Sequence, residues 1–173
     1  MSFLTLAKNR YSCRSFSEKA VEREKLESVL EAGRIAPTAT NSQPVRVRVL
    51  KSADSIEKIR GLTHMAYNAP VVLMVSYDGA KSYRASKYGD SHNCGAEDAS
   101  IVATHMMLEA ADLGLNTLWA RGFNAEPIER AFGFSEDETL VCLLDLGYAD
   151  PVHGGPSPRH SVRKPMAEFA SEL

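Results

Sequence analysis

Apolar residues recur along the chain with two periods. Between Ser17 and Pro37, Leu26, Val29, Leu30 and Gly33 fall at the i, i+3, i+4, i+7 spacing of one helical face, and Pro37 stops the run. This predicts an amphipathic helix. Val45, Val47 and Val49 alternate with Arg46 and Arg48, the period of a half-solvated strand, whereas Pro70 to Tyr77 is a continuous aliphatic run suited to a strand buried on both faces. Glu97 to Leu113 carries Ala99, Val102, Ala103, Met106, Ala110 and Leu113 on one side, with Ile101, Leu108 and Ala111 on the others. That pattern predicts a central helix covered most of the way round. Gly114 closes it and leads into a short strand, Leu115 to Ala120. Asn124 caps a further helix that runs to Phe132 and stops at Gly133, and Thr139 to Tyr148 forms the last buried strand. The order begins with helices, including a short one before Arg10. It predicts an α+β fold with a mixed or antiparallel central sheet flanked by helices.

Length and composition narrow this picture. The 173 residues suit a single domain spanning residues 1–173, and 44% apolar with 24% charged residues is close to the globular average. A formal charge of −2 asks for neither nucleic acid nor an anionic membrane; Arg46 and Arg48 alone make no basic stripe. The longest apolar stretches fall well short of the roughly 20 residues that cross a bilayer. Met1 to Arg14 has no charged leader, apolar core or cleavage site of a signal peptide, so a cytoplasmic location is expected. Cys13, Cys94 and Cys142 are odd in number and widely spaced, which predicts reduced thiols rather than disulfides. His92 and Cys94 lack a third ligand, so no metal site is expected.

Four stretches carry candidate chemistry. Arg10-Tyr11-Ser12-Cys13-Arg14 sets two guanidiniums around a hydroxyl, a combination that grips a planar anion such as phosphate. Ala36-Pro37-Thr38-Ala39-Thr40-Asn41-Ser42-Gln43-Pro44 is a Pro-flanked amide loop able to read the edge of a heterocycle. In Leu113 to Phe123, Gly122 permits close approach of a ligand to the backbone. The tail His160-Ser161-Val162-Arg163-Lys164-Pro165-Met166 offers cations for the same anion. Between them, Tyr77 to Cys94 holds Tyr83, Arg84, Lys87, Tyr88 and His92 without clean periodicity, as a lid or a solvated loop would. No GxGxxG, P-loop or HExxH occurs.

In this order, together with Asn68-Ala69-Pro70, Glu97-Asp98-Ala99-Ser100-Ile101, LGLNTLW and Leu146-Gly147-Tyr148, the motifs resemble the nitroreductase family of FMN-dependent oxidoreductases. The resemblance implies an intertwined homodimer with FMN at the subunit interface. NADH or NADPH would be the electron donor and a nitroaromatic, a quinone or a similar electron-poor small molecule the acceptor, in ping-pong turnover. It implies that Arg10, Ser12, Arg163 and Lys164 hold the FMN phosphate and that Arg14 lies at the flavin pyrimidine edge. Backbone amides of Arg121 and Gly122 would face the redox-active edge, so Arg14, Arg121 and Gly122 would serve the chemistry. Pro37, Thr38, Ala39 and Asn41 would reach the flavin of the other subunit. Val45, His105, Thr38 and Arg121 depart from residues common in the family, and of these Val45 and Arg121 bear on the pocket. A dehalogenase, an enone reductase and a non-catalytic flavin-binding protein are the competing readings.

Overall fold

The computed structural model describes residues 2–172. Two strands supply its centre. Val71–Asp78 (β2) pairs antiparallel with Glu138–Gly147 (β4), and both are buried nearly throughout, as their mainly apolar runs require. Val45–Leu50 (β1) adds antiparallel to β2 and Asn116–Ala120 (β3) to β4, giving one sheet of order β1-β2-β4-β3. The sheet is thus antiparallel, the second of the two arrangements expected. Opposite Val75 and Ser76 the register skips Val141, a bulge that bends β4 against β2.

Each face of the sheet buries a separate cluster. On one, Val71, Leu73, Val75, Cys142 and Leu144 meet Arg23–Arg34 (α2) and Gly95–Asp112 (α4). The two helices approach closely because Gly33 has no side chain: a Cβ there would lie 2.8 Å from Met106 Cγ. On the other face, Val72, Met74, Leu118 and Leu143 pack with Ile56 and Ile59 of Ala53–Leu62 (α3), Ile128 of Ala125–Ala131 (α5), and Cys13 and Phe16 from the N-terminal region. The sequence pattern gave no expectation for α3. The short helix Phe3–Asn9 (α1) precedes Arg10 as expected.

Three features differ from expectation. The α4 face carrying Ile101, Thr104 and His105 stays exposed, with Ile101 37% accessible, so this helix is not covered all round within the chain. Arg46 and Arg48 are not simply solvated. Arg48 grips buried Glu138 with both amines and stacks 3.9 Å from the Phe134 ring, while Arg46 pairs with Asp78 at 3.2 Å. That pairing holds the Glu138 carboxyl below its ordinary range. Finally, Asp145 in the middle of β4 is fully buried on the α3 side, and neither carboxyl oxygen finds a hydrogen-bond partner among the described residues. Burial pushes its pKa up to about 8.

Candidate functional site

The residues after α1 leave the helix at Arg10, whose backbone is extended, and run as a strap beside β3. Ser12 bridges Thr117 in parallel, the Cys13 amide donates to the Thr117 carbonyl at 3.0 Å, and the Ser17 amide donates to the Tyr148 carbonyl at 2.8 Å. Asn68 pins the far end: its Oδ1 accepts from the Phe16 amide at 2.8 Å and its Nδ2 donates to the Phe16 carbonyl at 2.6 Å. An extended backbone sends alternate side chains to opposite sides. Cys13 is therefore buried, its thiol pushed up in pKa by desolvation, while Arg10, Ser12 and Arg14 open together onto one cavity of about 240 Å³.

Ser157, Arg159, His160 and Arg163 complete that cavity from the C-terminal segment, and no Asp or Glu lines it. The donors suit a multiply charged oxyanion, because guanidinium forks bond phosphate oxygens in pairs and hydroxyls add further hydrogen bonds. Arg14 shares this cavity with Arg10, and its Nη1 donates to the Ser12 carbonyl at 3.2 Å. Lys164 is exposed and lies outside the lining. Ser157 and Arg159 precede the tail that the sequence singled out, and His160 is its first residue. Only the basic character of the tail pointed to them.

Arg121 and Gly122 follow β3, four and five residues beyond the Ser12–Thr117 bridge, roughly 13–16 Å along the chain at strand spacing. Arg121 is exposed, its Nη1 donating to the Phe123 carbonyl at 3.0 Å and its guanidinium 4.8 Å from the Phe123 ring. Gly122 rests on Met65: a Cβ there would sit 3.1 Å from the thioether sulfur.

The Pro37–Asn41 loop is separate from the cation cavity. Thr38 and Gln43 line a second cavity of about 260 Å³ with Leu30, Gly33, Val45 and Val102, and the two linings share no residue. Three residues of this loop adopt a backbone unusual for residues with side chains: Thr40, Asn41 and Gln43 have φ of 54°, 57° and 48°. Such conformations cost energy and persist only where surrounding bonds dictate them. Here the Thr38 hydroxyl accepts from the Gln43 amide at 3.1 Å, Gln43 Nε2 donates to Asn41 Oδ1 at 3.1 Å, and buried Asp98 of α4 accepts the Ala39 amide at 2.8 Å. Pro37 and Asn41 are exposed.

The segment after β2 is a polar loop in which Arg84 bridges Asn93 and a short 3₁₀ turn spans Ser86–Tyr88. His92 meets Glu97 at 2.6 Å, and no group of three His, Cys, Asp or Glu residues gathers among the described residues. No helix of these residues is long and apolar enough to cross a membrane.

A nitroreductase-family model matches residues 7–66 and 60–148. A nitroreductase family protein of Clostridium difficile 630 is 36% identical with TM-score 0.91, covering 99% of this chain and 98% of its own. A protein of Methanothermobacter thermautotrophicus, provisionally named NADH dehydrogenase/NAD(P)H nitroreductase, is 26% identical over 155 residues, 86% of this chain and 78% of that one. The fold also matches a provisionally named nitroreductase from Desulfovibrio desulfuricans solved in complex with FMN, at 24% identity and TM-score 0.82, covering 100% of this chain and 97% of that one. The order of motifs, the antiparallel sheet and these matches converge: the chain belongs to the nitroreductase family.

Proposed function

We propose that this protein is an FMN-dependent oxidoreductase that takes electrons from NADH or NADPH and delivers them to an electron-poor small molecule such as a nitroaromatic or a quinone. One observation carries the reading: Arg10, Ser12, Arg14 and Arg163 converge on a cavity with no carboxylate in its lining, a donor set that fits the phosphate of FMN. Bound there, FMN would supply the hydride chemistry that the side chains lack. Arg10 and Arg163 would neutralise the phosphate and the Ser12 hydroxyl would donate to it. Arg14 would favour negative charge on the flavin ring, and the Arg121 and Gly122 amides would donate to the ring edge. The FMN-containing fold relative and the NAD(P)H nitroreductase name of the Methanothermobacter protein support this reading.

The functional unit in this proposal is a homodimer. The Pro37–Asn41 loop and the cation cavity lie apart within one chain, so the loop would serve the flavin of a second copy. Ile101 of α4 and the exposed Phe3, Leu4, Met166 and Phe169 are apolar surface for that association. A purified protein should show oxidised-flavin absorbance with about one FMN per chain, and NADH or NADPH should bleach it rapidly. A colourless protein that binds no added FMN overturns the reading. Flavin that NAD(P)H leaves oxidised points instead to a non-catalytic binder, and turnover with a nitroaromatic, a quinone and an enone in parallel identifies the acceptor class. Sedimentation of a flavin-loaded monomer refutes the dimer.

A further inference from the structure

The C-terminal segment is seated on the strap by contacts that a phosphate site does not itself need. The 3₁₀ turn Pro158–Ser161 places the His160 ring against α1, where Nε2 lies 2.9 Å from the Lys8 carbonyl. A carbonyl only accepts, so this nitrogen carries the proton and donates. The same ring meets Tyr11 edge-on at 6.1 Å between centroids. Lys8 and Tyr11 flank the start of the strap, so His160 holds the tail at the point where Arg10 emerges.

Docked in this way, the segment delivers Ser157, Arg159 and Arg163 to the cavity that Arg10, Ser12 and Arg14 line from below. The guanidiniums of Arg10 and Arg159 have no hydrogen-bond or ion-pair partner among the described residues. Four guanidiniums around one cavity without a carboxylate repel one another. An anion between them removes that repulsion, and because it contacts both walls it binds the docked tail better than a released one. Anything that binds one state preferentially shifts the population toward it.

Resting on the FMN reading above, we propose that residues 157–163 form an anion-closed clamp over the phosphate, with Arg159 and Ser157 as further phosphate ligands and His160 as the positioning residue that latches the clamp to the Lys8 carbonyl. Arg159 then contributes directly to affinity for the phosphate, and His160 acts through the segment it seats.

The test compares FMN with riboflavin, which has the same ring and no phosphate, on the flavin-stripped full chain. Arg159→Ala should weaken FMN about 5- to 20-fold, the loss of one charge-assisted contact, and leave riboflavin within about twofold. His160→Ala should weaken FMN in the same direction by about 3- to 10-fold, and His160→Gln, whose amide can still donate to the carbonyl, should recover much of it. In the wild-type protein, FMN should slow tryptic cleavage after Arg159 and Arg163, and riboflavin should not. An unchanged FMN-to-riboflavin ratio in both alanine variants, or a tail that FMN leaves unprotected, overturns the clamp while the oxidoreductase reading stands. If the wild-type protein binds neither flavin, that reading falls, and inorganic phosphate takes the place of FMN in the cleavage assay: protection lost in Arg159→Ala supports the clamp alone, and no protection overturns it.

Discussion

The strap and the amide loop solve the same problem, holding polar groups in a fixed array, by opposite means. The strap is ordinary extended backbone that long-range bonds stretch into place: Thr117, Tyr148 and Asn68 hold it from three distant parts of the chain. The Pro37–Gln43 loop is unusual backbone, with three residues at positive φ, secured mainly by its own side chains and by one bond to Asp98. An array of charges tolerates simple geometry, because guanidiniums reach several ångströms and bind without fine aim. Amides that read a ring edge must point accurately, and a strained, locally tied loop supplies that accuracy.

The sharpest way to damage the first array is to remove its charges. Arg10→Ala and Arg163→Ala should each weaken FMN by about 1.5–3 kcal/mol, roughly 10- to 100-fold, in a direct titration. Asn68→Ala attacks the backbone beneath those charges. Losing both bonds to Phe16 should cost about 1–3 kcal/mol in urea denaturation and lower FMN affinity with every arginine still present. Retained affinity would mean that the Thr117 and Tyr148 bonds suffice.

Asp145 adds a pH dependence on the strap side of the sheet, where it raises the Cys13 pKa as well. Its folded pKa of about 8 lies above its unfolded value, so the folded state keeps a proton that the unfolded state releases. The contribution of Asp145 to stability is therefore most favourable below about pH 4, declines as pH rises toward 8, and levels off beyond. Asp145→Asn should flatten that decline and stabilise the protein by on the order of 2 kcal/mol at pH 7, read from denaturation curves at several pH values.

For the loop, Asp98→Ala removes the one tie to α4. It should cost about 1 kcal/mol of stability and raise hydrogen exchange at Ala39, leaving binding of the FMN phosphate unchanged. Arg14, whose charge faces the cavity, is read by potential rather than by affinity. Arg14→Ala should lower the two-electron potential of bound FMN by tens of millivolts, since a unit charge at ~4 Å in an effective dielectric of ~20 is worth at most about 4 kcal/mol, or roughly 90 mV. A normal potential with weakened FMN would place Arg14 among the phosphate ligands.

Periodic elements could be read before the structure. The Val71–Asp78 run and the α4 pattern announce themselves because burial on a regular element leaves a regular trace. In α3 only Ile56 and Ile59 are buried, and two residues among charges make too short a signal. The face of α4 around Ile101 misled, because apolarity reports that a surface is to be covered without saying that the same chain covers it. For the site, residue types marked Arg10, Ser12, Arg14 and Arg163. Asn68 and Asp98 went unassigned, and His160 was read only as part of a cationic tail, because each acts on backbone groups far away in sequence, which side-chain identity does not reveal.

The cation cavity has a consequence for how the molecule is made. One wall comes from residues 10–14 and the other from residues 157–163, with Lys8 and His160 touching across 152 positions. A ribosome adds residues from the N-terminus, so the arginines of the strap are synthesised before the whole sheet and wait for residues 157–163. The cavity is thus completed only after residues 157–163 have been made, and a nascent chain can build its sheet while it holds only the strap's half of the cation array.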